Sequence, residues 1–115
     1  MMEVKEVGRD DGISQVELIG TLDVAGMHDV DAEFHSLTAL PGQPCIVDLS
    51  KVTYIASLGM GMLISCAQSL GRRGQKMVLM APQEPVLEVL RAVGLDSAIP
   101  IVMDEAEALR EVATQ

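Results

Sequence analysis

The chain has 115 residues, 49% of them hydrophobic and 22% charged, which is enough for one compact domain and too little for two of about 100 residues each. Acids outnumber bases 17 to 8, a formal charge of -9, and the only aromatic residues are Phe34 and Tyr54. This balance disfavours a surface that tracks nucleic-acid phosphates by counterion release, and it leaves few stacking platforms for bases or sugars.

The opening residues, Met1-Met2-Glu3-Val4-Lys5-Glu6-Val7, contain no apolar stretch of the secretory kind. The longest run without a strongly polar residue, Leu58 to Ile64, falls far short of the roughly 20 residues that cross a bilayer. A cytoplasmic protein without membrane insertion is expected, with residues 1-115 as one domain. Cys45 and Cys66 have no CxxC spacing and sit in apolar segments, so they read as reduced core thiols.

Residues 2-7 and 13-20 are two extended candidates separated by Gly8-Arg9-Asp10-Asp11-Gly12, which predicts a β-hairpin. After Gly20-Thr21-Leu22-Asp23 the period changes. Met27, Val30, Phe34 and Leu37 recur at helical spacing, and Asp23 is placed to cap that helix. Pro41-Gly42-Gln43-Pro44 breaks the chain, and the apolar run Cys45-Ile46-Val47-Asp48-Leu49 predicts a central strand buried on both faces. Val52 to Ile55 continues extended. A second helix carries Met60, Leu63, Ile64, Ala67 and Leu70 on one stripe and ends at Gly71-Arg72-Arg73-Gly74, where the arginines suit a helix C-terminus.

Residues 76-81 form the next predicted strand. A helix opening near Pro85 then places Val86, Val89, Leu90 and Val93 on one face and closes at Gly94. Residues 99-103 form a last short strand, which Pro100 assigns to a sheet edge because it lacks a donor. Asp104 with Glu107 three residues on caps a final helix, with Leu109 and Val112 inward. The order ββαβαβαβα implies an α/β fold: a mostly parallel five-stranded sheet with four helices and an antiparallel first strand.

In such sheets function gathers where strand C-termini meet helix N-termini. Three segments qualify: Gly20 to Asp23, Tyr54 to Gly61, and Ala81 to Glu84. In the middle one, Ser57 stands at a strand-to-helix junction among Ala56, Gly59 and Gly61. A serine there either caps the helix through its hydroxyl or carries a phosphate that the helix N-terminus favours. Met60 and Met62 straddle two helix faces, so either both pack or one enters the core while the other stays exposed with Leu58 as a partner contact.

Enzymatic readings find little support. Gly59-x-Gly61 has neither the third glycine of a dinucleotide site nor the Gly-Lys-Ser/Thr of a P-loop. Ile55-Ala56-Ser57-Leu58-Gly59 is not a nucleophile elbow. His28 and His35, i and i+7 on the first helix, lie about 10 Å apart, too far for one metal ion. No catalytic residue, metal or cofactor is expected, and the two histidines read as solvated.

Taken together, Gly20-Thr21-Leu22-Asp23, Ile46-Val47-Asp48-Leu49-Ser50, Val52 through Gly61 and Val93-Gly94-Leu95 resemble the STAS domain family, bacterial anti-sigma-factor antagonist type. The third segment is similar to the family pattern hydrophobic-hydrophobic-Asp-Ser-Ser/Thr-Gly-Leu/Met-Gly, with Ser57 on its first serine. Ala56 stands where the family has aspartate, and Leu58 where it has a second hydroxyl. The resemblance implies a binding module rather than an enzyme. It would bind an anti-sigma factor of the serine-protein kinase type, release sigma factor and so regulate transcription, and be switched by phosphorylation of Ser57 and reset by a phosphatase. The implied contact residues are Asp23, Ala56, Ser57, Leu58, Gly59, Met60, Gly61 and Met62. A regulatory subunit binding an ABC-type transporter ATPase is the alternative.

Overall fold

The computed structural model describes residues 2-9 and 11-113. Among them the chain forms strands β1 (Met2–Val7), β2 (Ser14–Leu22), β3 (Cys45–Ile55), β4 (Met77–Met80) and β5 (Ile101–Val102). The helices are α1 (Val24–Thr38), α2 (Ser57–Arg72), α3 (Glu84–Ala92) and α4 (Glu105–Ala113), with a single 3-10 turn at Leu95–Ser97 after α3. The sheet runs β1-β2-β3-β4-β5 in space. β1 pairs antiparallel with β2 as the hairpin requires, and the remaining pairs are parallel. The predicted order and sheet are therefore observed, with β3 central and β5 on the edge after Pro100.

Residue alternation along the strands divides the interior in two. Cys45, Val47, Met77 and Leu79 face the larger core with Phe34 of α1, Leu63 and Leu70 of α2, and Val86 and Leu90 of α3. Ile46, Val78 and Met80 point the other way, where Ala108 and Val112 of α4 cover them. β3 and β4 are thus apolar on successive residues because helices lie over both of their faces.

The polar punctuation is local. Asp23 accepts from the Gly26 amide at 2.8 Å and caps α1. Asp104 accepts from the Glu107 amide at 2.8 Å, while the Glu107 carboxylate reaches back to the Met103 amide at 3.4 Å. Arg9 ties the hairpin loop to α4, donating to Gln15 at 2.7 Å and to Glu105 at 3.0 Å.

Several boundaries and faces differ from the periodicity reading. β2 extends two residues further than expected, because it continues pairing with β3 as far as Leu22, opposite Ile55, and β3 runs unbroken to Ile55. β5 keeps only two residues. Val89 and Val93 do not share the buried face of α3: they are 38% and 59% exposed, since the helix buries Val86 and Leu90 and turns these two aside. On α4 the buried residue beside Val112 is Ala108, with Leu109 half-buried at the margin.

Candidate functional site

The two helix N-termini that follow β2 and β3 are brought together by the sheet. Parallel pairing sets Thr21 against Tyr54 and Leu22 against Ile55. Gly20, with φ of 113°, permits the irregularity at which β2 shifts register before Thr21. Beyond the last pair, the Ala56 amide donates to the Leu22 carbonyl at 2.9 Å, so the exits of both strands are stitched to each other. α1 then starts from Asp23 and α2 from Ala56.

Gly59 completes the junction. A Cβ there would stand 2.5 Å from Leu22 Cγ and 2.9 Å from the Leu22 carbonyl oxygen, so α2 sits on β2 only because that position carries no side chain. Gly61, two residues on, is exposed with open space where its Cβ would be. The two glycines therefore respond oppositely to alanine. Gly59→Ala is expected to destabilise by about 2 kcal/mol through overpacking, and Gly61→Ala to stabilise by up to about 1 kcal/mol through helix propensity. Urea denaturation of the two variants checks this pair, and equal midpoints would contradict the packing.

Ser57 is not the cap. Ala56 occupies the N-cap position with extended backbone, no side chain caps α2, and the Ser57 hydroxyl is exposed one residue further on. The first helical hydrogen bond runs from the Met60 amide to the Ala56 carbonyl at 3.0 Å, so the amides of Ser57, Leu58 and Gly59 precede it. No acidic residue lies in the first turn of either helix. The Asp23 carboxylate sits on the N-terminus of α1, whereas α2 has neither a side-chain cap nor an acid in its first turn, so its partial positive charge is not compensated from within the helix.

Three large apolar residues are exposed at this end of the sheet. Val24, Tyr54 and Leu58 are each about half exposed, at 50%, 54% and 51%. Met60 and Met62, by contrast, are both buried, because Met60 lies on the sheet-facing stripe and Met62 joins the same core. Of the two alternatives left open for these methionines, both pack, so neither is exposed as a partner contact, and Leu58, Tyr54 and Val24 are the half-exposed apolar residues found at this end of the sheet. Of the residues singled out in the sequence, Asp23, Ala56, Ser57, Leu58, Gly59 and Gly61 gather at this end of the sheet. Tyr54 opened the candidate segment but was not among the expected contact residues, Val24 was not singled out at all, and the register that brings both to this end of the sheet is a property of strand pairing.

The remaining candidates lie elsewhere. His28 and His35 are exposed on α1, and His35 Nδ1 stands 3.9 Å from Cys66 Sγ, a contact between α1 and α2 that spacing along one helix does not reveal. Burial raises the Cys66 thiol, and it pushes Cys45 up to about 12 with a smaller contribution from nearby Cys66. Both thiols are free, and as protonated groups they are poor nucleophiles. In the third loop, Ala81 holds a left-handed φ of 56° as the chain leaves β4, and Gln83 Nε2 donates to the Ser50 carbonyl at 2.9 Å.

The sequence matches the STAS domain family over residues 4-108. The chain belongs to this family. None of the curated proteins matches it in sequence. Among solved structures, this STAS domain is similar to a protein of Thermotoga maritima, with 23% identity, a TM-score of 0.83, and 98% of this chain and 95% of that one covered. An anti-sigma factor antagonist from Mycobacterium paratuberculosis superposes with 22% identity, a TM-score of 0.82 and coverage of 97% and 96%. The anti-sigma factor antagonist SpoIIAA does so in its unphosphorylated form, at 18% identity, TM-score 0.70 and coverage of 98% and 100%. SpoIIAA of Bacillus in its phosphorylated form gives 19%, 0.68, and 96% and 99%. At these identities the likeness is one of fold. Among the described residues no helix is long and apolar enough to cross a membrane.

Proposed function

We propose that this STAS domain is an anti-sigma-factor antagonist that works as a binding module. It binds an anti-sigma factor of the serine-kinase type at the Ser57 end of the sheet, frees the sigma factor, and is released when Ser57 is phosphorylated. The observation that carries this reading is an exposed, uncapped serine at the first position of α2, at the end of the sheet where Val24, Tyr54 and Leu58 are also half exposed.

The physical argument is one of competing demands on a single surface. Unmodified, the half-exposed valine, tyrosine and leucine offer apolar area of the kind that forms the centre of a protein interface. A phosphate on Ser57 adds a charge of about -1.5 to -2 beside that area. The free amides of the α2 N-terminus stabilise the modified state within the domain, whereas a partner packed over this end of the sheet would have to bury an ionised group. Ala56 and Leu58 remove the acid and the second hydroxyl of the family pattern, so the contact here leans on apolar packing more than on charge.

The test is an affinity capture from native extract with the unmodified chain, Ser57→Ala and Ser57→Glu, read by mass spectrometry. A kinase-like ATPase held by the first two and at least tenfold depleted with Ser57→Glu is the expected result. Equal retention by all three would exclude the switch, and a transporter ATPase in its place would favour the alternative regulatory-subunit reading.

A further inference from the structure

We propose that the cleft between the C-terminal ends of α1 and α2 is a binding site for a phosphate-type oxyanion, separate from the Ser57 surface. The cleft has a volume of about 280 Å3 and is lined by His35, Ala39, Leu40, Ser69, Arg72 and Arg73. Every ionisable side chain in that lining is a base. The chain has 17 acids and only 8 lysines and arginines, yet two of those 8 meet here without an acid in the wall. Among the described residues neither Arg72 nor Arg73 forms an ion pair.

Arg73 is held in place. Its Nη1 donates to the carbonyls of Ala39 and Leu40 at 3.0 and 2.9 Å, and its guanidinium lies against the Gly42 α-carbon, too close for any side chain there. Gly42 also has a φ of 68°, so the loop conformation and the arginine seat require the same residue. Arg72 Nη2 reaches Ser69 Oγ at 3.4 Å, directed along the same wall. With Nη1 committed to the Ala39 and Leu40 carbonyls, Arg73 Nε and Nη2 are the nitrogens left to donate to an oxyanion, with little loss of rotamer freedom.

The negative ends of the two helices do not cancel this charge. Each helix terminus carries about half a unit charge, against two full charges on the arginines. Part of that charge is already engaged: the His35 carbonyl accepts from the Ala39 and Leu40 amides, and Leu70 and Gly71 accept from Arg73, Gln75 and Gly74. The cleft lies at the far end of α2 from Ser57, about 22 Å away along the helix, so its occupant need not touch the surface proposed above.

Titration of the full chain with inorganic phosphate at constant ionic strength, followed by amide chemical shifts, tests the site. Saturable shifts centred on His35, Leu40, Ser69, Arg72 and Arg73 are expected, with chloride giving none. Arg72→Gln, at an exposed position that leaves the fold intact, should weaken the affinity about tenfold or more, and Ser57→Ala should leave it unchanged. A parallel titration with O-phosphoserine distinguishes sources: tighter binding assigns the site to a phosphorylated side chain, and equal binding to free phosphate. Shifts that do not saturate, that chloride reproduces, or that keep their affinity in Arg72→Gln would overturn the proposal.

Discussion

Gly26→Ala is expected to destabilise the domain by about 3 kcal/mol, although alanine in place of a helical glycine ordinarily gains about 1 kcal/mol. Gly26 lies in the first turn of α1, where a Cβ would fall inside contact distance of the Thr21 carbonyl oxygen and 3.1 Å from Met2 Cβ. Neither neighbour can give way cheaply. Thr21 is paired with Tyr54 in the sheet, and Met2 is buried opposite Gly20 at the start of β1. If α1 moved off instead, the 2.8 Å bond from the Gly26 amide to Asp23 would be lost, a further cost of about 1 kcal/mol. For a domain of this size the melting temperature should fall by roughly 12 °C. A circular-dichroism melt checks it, and a rise in the midpoint would mean that helix propensity outweighs packing at this junction.

Phe34→Ala should cost about 3 to 5 kcal/mol, a large share of the roughly 5 to 15 kcal/mol that keeps a domain folded. Phe34 is the chain's one phenylalanine, fully buried in the larger core between α1 and the sheet. With two aromatic residues in all, one of them the exposed Tyr54, the core is built from aliphatic side chains and methionine. No other aromatic ring can move in to fill the space. Phe34→Leu retains most of the volume and should lose much less. Urea midpoints with an unchanged slope would confirm a native-state cavity, and a loss below about 1 kcal/mol for Phe34→Ala would show that the site collapses around the missing ring.

The order of elements was readable because each period is a local property. Phe34, Val30 and Met27 fall on one side of any helix that contains them, and Cys45 to Leu49 is too short and too apolar for anything but a doubly covered strand. Caps were readable for the same reason: Asp23 and Asp104 each bond an amide three residues away. Where expectation and structure part, the deciding neighbour is remote in sequence. Val89 and Val93 share a stripe with Val86 and Leu90 on a helical wheel, yet the fold leaves them 38% and 59% exposed. Ser57 reads as a cap until the Ala56 amide is seen bonded to Leu22, which places the helix start one residue earlier.

The same division runs through the candidate surfaces. By itself the sequence determined the alternation of strands and helices, the reduced buried thiols, and the presence of a serine among small residues at a strand-to-helix junction, because these depend on residue type and short spacing. Only the tertiary structure decided that Tyr54 and Val24 are exposed at the same end of the sheet as Leu58 and that serine, that Met60 and Met62 are buried, and that Arg73 seats on the end of a different helix from its own. Those outcomes depend on strand register and on which backbone carbonyl stands across a packed interface, and residues 21 and 54, or 39 and 73, have no local reason to meet.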